Sequence, residues 1–355
     1  EETESKKSVK LSDVDYLFID EIAMCPTRML AKLQNELQNC NNTNLTLLST
    51  GDVNQQRVCD VDITTNSYVE DIINSIFNQG IMLNVNKRFK NPQDRINIKD
   101  IKNTLLTNND RKSYLKYVKQ FSDINDLFNI VFTGDVFNAK IISYLNSTCE
   151  FVNNIIHNVF LKKNKKIKFK SVYDFKLYVG LELTVCERIP IKPRVLNRNE
   201  VVKIVKIQDD SVIVEAVDNR DEFDLNEEPE QFNIVLNKFM NQNKFFKYSY
   251  CDTSMSTQGD TYENIPVVVF DTQESLMQPS SIYTSIGRAT SLDLVYVFTG
   301  NSVKDESADF NLNRLLQSRI KSYQTADIDA NRLYKKNDYI DEQWIYDEVC
   351  KNPTC

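Results

Sequence analysis

Residues Leu17–Pro26 read LFIDEIAMCP, an apolar run that ends in two adjacent acids, Asp20 and Glu21, and turns apolar again. Two carboxylates at the end of a buried strand form the Walker B arrangement: the Asp holds Mg²⁺ beside phosphates and the Glu polarises an attacking water. For this stretch alone a second explanation is open. Asp20 caps the following helix and Glu21 sits in its first turn, where negative charge suits the dipole. Further polar groups follow other apolar runs. Leu47–Gln55 (LLSTGDVNQ) places a Gly-Asp turn and the amide of Gln55 after a short strand, where the amide can stand beside a γ-phosphate. Leu83–Phe89 (LNVNKRF) delivers Arg88. Thr253–Thr261 (TSMSTQGDT) precedes the run VVVFD, and Tyr283–Thr290 (YTSIGRAT) precedes LVYVFTG. Arg288 in that context can reach across a cleft and neutralise charge on a phosphoryl group.

These groups need elements to carry them. Val14–Ile19 is almost continuously apolar, which predicts a central parallel strand covered on both faces. Thr27–Cys40 has helical spacing at Met29, Leu30, Leu33 and Leu37, and Leu45–Ser49 reads as the next strand. Strand, helix, strand is the unit of an open α/β sheet, whose catalytic groups sit at the carboxyl ends of strands. Asp20, Glu21 and Asp52 all fall there. The pattern then predicts a helix over Tyr68–Asn78, a short strand over Gly80–Val85, helices over Ile98–Phe121, a strand over Asn129–Thr133 and a helix starting within Ala139–Asn146. From Tyr178 the texture changes. GLELTVCERI, NEVVKIVKIQ and SVIVEAV alternate with period two, as in a small antiparallel barrel or meander, interrupted by the acidic loop Asp218–Gln231. The α/β texture returns at Tyr250, with buried strands expected in Val267–Asp271 and Leu294–Gly300.

The order DEIA, GDxxQ, an Arg, TQGDT, YTSIGRAT is more specific than any of its members. The ordered set resembles the superfamily 1 helicases, in the RecD-like and PIF-type branch, over roughly residues 14 to 300. GLELTVCERI followed by NEVVKIVKI is similar to the opening strands of the small Src-homology-3-like barrel that interrupts the second RecA-like domain of that branch. The resemblance implies roles. Asp20 binds Mg²⁺ beside ATP and Glu21 activates water. Gln55 senses the γ-phosphate, and Arg88 and Arg288 contact it from the second domain. Gln258 and Gly259 lie in the motif that couples the ATP state to the nucleic-acid track, and Ser256 and Thr257 touch the DNA backbone. Two positions depart from the pattern. Met255 and Ser256 stand where a His-Lys pair is usual, and Gly287 stands where Thr or Ser precedes the final Arg.

The expected fold is therefore α/β. Residues 1–79 form the C-terminal part of a first RecA-like domain, 80–177 with 250–310 a second, 178–249 a β-barrel insert, and 311–355 a tail. No G-x-x-x-x-G-K-[ST] loop occurs in the 355 residues. The expectation is a fragment of a longer ATP-dependent helicase that acts on single-stranded or forked DNA with 5′ to 3′ polarity, alongside other replication proteins. An RNA helicase of the same superfamily, or a helicase-derived module that binds without hydrolysis, is the alternative.

Composition limits the other choices. The chain has one histidine, His157, and eight cysteines without a Cys-x-x-Cys pair, which argues against the usual zinc sites and histidine base catalysis. Free thiols in a reducing compartment follow, with nucleus, mitochondrion and viral replication site not separated. No apolar run reaches membrane-spanning length. With a net charge of −7, any nucleic-acid contact has to come from a local basic surface. Phe160–Lys170 (FLKKNKKIKFK) carries six lysines, of which Lys162, Lys163, Lys165 and Lys166 are candidates to follow phosphates; a solvated helix end is the equal alternative. His157 and Trp344 are read as structural.

Overall fold

The computed structural model describes residues 11–40, 42, 44–52, 54–55, 73–77, 80, 81, 83, 86–191, 195–217, 230–236, 245–273 and 277–300, which lie in one compact unit. The tail with Trp344, most of the acidic loop and much of Tyr68–Asn78 lie outside them, though residues 73–76 are helical. Strand β1 (Tyr16–Ile19) pairs in parallel with β2 (Thr46–Ser49), joined by helix α1 (Thr27–Gln38). Leu30 of α1 packs with Ile22, Ile19, Cys25, Ile73, Ile76 and Phe77. This small core covers one face of the pair only. Tyr16 and Phe18 are 74% and 60% exposed, with Leu48 in register beside Phe18, so the expectation of a strand covered on both faces is corrected.

Gly80, Ile81 and Leu83 belong to no strand, and the two apolar side chains are almost wholly exposed, against the strand expected over Gly80–Val85. Helix α2 (Pro92–Lys102) starts earlier than the sequence suggested, because Asn91 accepts the Gln93 N–H and Pro92 occupies the first turn. A π-turn (Asn103–Thr107) and a 3₁₀ turn (Ser113–Tyr117) follow. The end of the expected helical stretch is instead β3 (Lys119–Phe121). The strand expected over Asn129–Thr133 is mostly helix α3 (Ile124–Val131). Asp123 caps it, and Ile124, Leu127, Phe128 and Val131 give it an apolar face of helical spacing. The hairpin β4 (Phe132–Thr133) and β5 (Val136–Phe137) follows. The helix expected to start within Ala139–Asn146 is corrected too. Lys140–Ser143 is β6, and helix α4 begins only at Asn146 and runs to Lys163.

The hairpin β7 (Lys170–Val172) and β8 (Phe175–Leu177) leads into β9 (Glu182–Val185), the short pair β10 (Ile189–Pro190) and β11 (Val195–Leu196), then β12 (Val201–Ile207), β13 (Ser211–Ala216), β14 (Gln231–Val235) and β15 (Phe246–Tyr248). These give an antiparallel sheet of order β14-β13-β12-β9-β15, as the period-two pattern implied, and no ladder joins β14 to β15 among the described residues. The chain then enters β16 (Cys251–Thr253), β17 (Val267–Val269), helix α5 (Pro279–Ile286) and β18 (Val295–Phe298). The parallel sheet has the order β16-β6-β17-β18-β3. Its strands alternate between two cores: Ile141 and Val268 enter one, Ile142, Val267 and Val269 the other. Burial on both faces explains the unbroken VVV run. The architecture is α/β.

The antiparallel sheet is rooted at β16. Asn153 on α4 accepts the N–H groups of Tyr250 and Cys251 at 3.0 and 2.8 Å and donates to the Cys251 carbonyl at 2.9 Å. His157 stacks on Tyr248 at 3.9 Å, and its ring nitrogens meet the Tyr250 hydroxyl and the Lys176 carbonyl. Burial pushes it down to about 4, so it is a neutral packing residue, as read from the sequence. Beside it, buried Asp252 pairs with Lys140 of β6 and Lys247 of β15. The five described cysteines are free. No helix among the described residues is long and apolar enough to cross a membrane.

Candidate functional site

Asp20 and Glu21 leave β1 at its carboxyl end. Glu21 adopts a left-handed backbone (φ 49°), which turns the chain into the 3₁₀ segment Ile22–Met24. Asp20 Oδ1 accepts the Glu21 N–H at 2.9 Å and the Thr50 hydroxyl. Ile22 N–H donates to Thr50 O at 2.8 Å and Thr50 N–H to Ile19 O at 3.0 Å, which stitches the ends of β1 and β2 together. Neither acid makes a side-chain cap: Pro26 precedes α1 without one, and the turn after Glu21 also lacks one. The capping explanation is set aside. Gly51 suits this packing, since a Cβ there would lie 3.1 Å from Ile22 N and 3.2 Å from Ala23 N, tighter than an ordinary contact. Asp52 Oδ1 accepts from Asn54 N–H at 2.9 Å, and Gln55 N–H donates to Asp52 O at 3.1 Å, so a tight turn fixes the start of Gln55.

Arg288 follows α5, just before β18, and is 2% exposed. Its guanidinium donates from Nε to Thr284 O at 3.1 Å, from Nη1 to Asp260 O at 3.2 Å and from Nη2 to Gln55 Oε1 at 3.2 Å. Arg88 lies alongside, donating from Nη1 to Gly287 O at 2.6 Å and from Nε to Thr261 Oγ1 at 3.0 Å. Each guanidinium finds carbonyls, a hydroxyl or an amide rather than a carboxylate. Burial and the nearby Arg88 charge lower Arg288 to about 10, and burial lowers Arg88. Glu21 is raised, by burial first and then by Asp20; Arg288 and Arg88 oppose that shift, so both guanidiniums act on this carboxylate. Acids at the carboxyl ends of β1 and β2 therefore meet arginines at the amino edge of the larger sheet.

No family model matches the chain, and no curated protein does. Solved structures do. A Pif1 helicase from Candida albicans is similar at 13% identity and a TM-score of 0.52, over 85% of this chain and 77% of its own. A Pif1 helicase from Bacteroides in complex with ADP-AlF3 and ssDNA is similar at 14% identity and a TM-score of 0.50, over 87% of this chain and 76% of its own. This chain has the Pif1 helicase fold.

Within the Pif1 fold, Asp20, Glu21, Gln55, Arg88 and Arg288 converge. Two further residues share that space. Tyr283 is pushed up to about 12 by burial and by Asp52. Asp52 is the third acid that the sequence places at a strand end, and for Tyr283 the available signal is its place at the head of YTSIGRAT. Gln258 and Gly259 lie in the turn after β16. Gly259 has φ +98°, and Gln258 Oε1 is buried without a hydrogen-bond partner. Ser256 is half-buried and its hydroxyl donates to Thr253 O at 2.9 Å. Thr257 is 1% exposed and its hydroxyl donates to Ser254 O at 3.2 Å. The small side chain of Thr257, one of the two residues expected at a DNA backbone, is drawn into the turn. Lys162 and Lys163 end α4, and Lys165 and Lys166 follow on a turn; all four are exposed, and none of them contacts the arginine cluster in a hydrogen bond or ion pair among the described residues. Lys163 is occupied with Gly134 O at 3.2 Å.

Proposed function

We propose that this chain supplies the water-activating and arginine halves of the ATP site of a superfamily 1, PIF-type DNA helicase. It moves 5′ to 3′ on single-stranded DNA and separates duplex. The observation that carries this reading is the convergence of Gln55, Arg288, Arg88 and Glu21. In domain terms, β1–β2 belongs to a first RecA-like domain, the five-stranded parallel sheet to a second, and the antiparallel sheet to a barrel-like insert.

The residues fit Mg²⁺ and ATP. Asp20 has one oxygen fixed by Glu21 N–H and Thr50, leaving the other without a partner among the described residues. No group of three or more metal-ligating side chains occurs there among the described residues. The orphaned Gln258 Oε1 is a polar atom awaiting a partner. ATP, when bound, supplies the anhydride whose cleavage drives movement. Glu21, raised by burial, takes a proton from water; Gln55 holds that water's neighbourhood in register with Arg288; the two arginines present positive charge. The test is ATPase and forked-duplex unwinding by the purified protein. DNA-stimulated hydrolysis lost in Glu21→Gln, with nucleotide still bound, is the expected result. Turnover unchanged in that variant overturns the reading.

A further inference from the structure

Residues 162–176 hold seven lysines and a single acid, Asp174, in a chain of net charge −7. Three of the lysines are used internally. Lys163 donates to Gly134 O and lies over the Phe132 ring. Lys170 donates to Gln208 O at 2.9 Å and to Asp209 O. Lys176 donates to Asn158 Oδ1 at 3.0 Å. Asn164 Nδ2 donates to Asp135 O at 2.8 Å, and Ile167 packs against the larger core. These contacts fix the segment. They leave Lys162, Lys165, Lys166 and Lys168 exposed and without a partner among the described residues.

Two exposed aromatic rings belong to the same segment. Phe169 is 48% exposed, with Lys176 Nζ 5.9 Å from its ring centre. Tyr173 is 56% exposed at the tip of the β7–β8 hairpin. Val172 pairs with Phe175, so Tyr173 and Asp174 are the two turn residues, and Tyr173 has φ +50°. Glycine is favoured at that first position, and a bulky side chain there is strained. The chain thus keeps an exposed ring where its backbone favours none.

We propose that this surface is a stacking platform for single-stranded nucleic acid, with Lys162, Lys165, Lys166 and Lys168 along the phosphates and Phe169 and Tyr173 against base faces. Sequence-tolerant binding of this kind combines basic side chains with exposed rings. The proposal rests on the nucleic-acid reading above and adds a binding surface made of residues other than the arginine cluster.

The test is fluorescence anisotropy with labelled oligo-dT, oligo-rU and an abasic oligomer of equal length. Phe169→Ala and Tyr173→Gly should each weaken oligo-dT binding about tenfold. The abasic oligomer should bind more weakly than either base-bearing strand. Replacing Lys165, Lys166 and Lys168 by Ala should lower the salt-dependence slope by about two. Tyr173→Gly relieves the turn, so its melting temperature should hold or rise while binding falls, which separates recognition from folding. Binding to oligo-dT alone or oligo-rU alone identifies the sugar and supports the platform. Wild-type affinity in both aromatic variants, equal affinity for the abasic strand, or no binding to either base-bearing strand overturns it. Those results leave the ATPase test of the helicase reading untouched.

Discussion

Arg288 donates from Nη2 to Gln55 Oε1 at 3.2 Å, joining residues 233 positions apart. The guanidinium is held from behind by Thr284 O and Asp260 O, so its third contact points at the turn that follows β2. Arg288→Ala should cut ATP turnover by roughly a thousandfold, the scale of an arginine finger, while nucleotide affinity changes far less. Single-turnover hydrolysis alongside equilibrium nucleotide binding separates the two. Arg288→Lys should not rescue turnover, because an ammonium cannot hold three divergent acceptors.

Glu21 gives a pH prediction. Its folded value lies above the ordinary carboxylate value, so in the window between them the native state binds more protons than the unfolded one. Stability then falls as pH rises from the ordinary value of 4.5 through the raised one. Glu21→Gln should therefore melt slightly higher than wild type at neutral pH, by roughly 1 °C. The difference should vanish below the ordinary value. Melting curves across pH would show it, and a variant less stable at neutral pH would contradict the raised value.

Asp252 behaves oppositely. Burial alone would raise it, yet Lys140 and Lys247 hold it at about 2. Its contribution is present above the ordinary value of 3.8 and is lost as pH falls through about 2. Asp252→Asn leaves two lysines facing each other in a largely buried site. The cost should be about 3–5 kcal/mol by urea denaturation, the range for breaking a buried pair.

Gly51→Ala tests the packing beneath the acids. The added methyl would press on Ile22 N and Ala23 N, backbone atoms that cannot swing away. Overpacking of this kind costs about 1–3 kcal/mol. The variant should also lower ATP turnover, because the displaced turn carries Asp20 and Glu21. Stability loss with full turnover would separate the turn from the chemistry.

The acids and arginines were legible because each sits where an apolar run stops, and buried strands deliver side chains at their ends. Their ordered spacing carried more than any one of them. The misread elements share a different cause. In Asn129–Thr133 and Ala139–Asn146, short apolar doublets fit either period. What decided α3 was the Asp123 cap and the Ile124–Val131 face; what decided β6 was a place between two cores, which no local pattern states. For Thr257 the sequence does not separate two uses of a hydroxyl, since it suits a phosphate and a neighbouring carbonyl equally well. The bare face of Tyr16 and Phe18 could not be foreseen from a run that is apolar at nearly every position.

Strands β15 and β16 are separated by Ser249 and Tyr250 alone, and neither is slack: Ser249 Oγ accepts the Thr184 hydroxyl at 3.1 Å, and Tyr250 N–H is held by Asn153. A seam this short and this well tied offers no hinge. Strand β16 continues directly into the turn bearing Gln258 and the Asp260 carbonyl that accepts from Arg288. The antiparallel sheet and the carbonyl that holds Arg288 therefore sit on one continuous stretch of chain, two strands and a turn long.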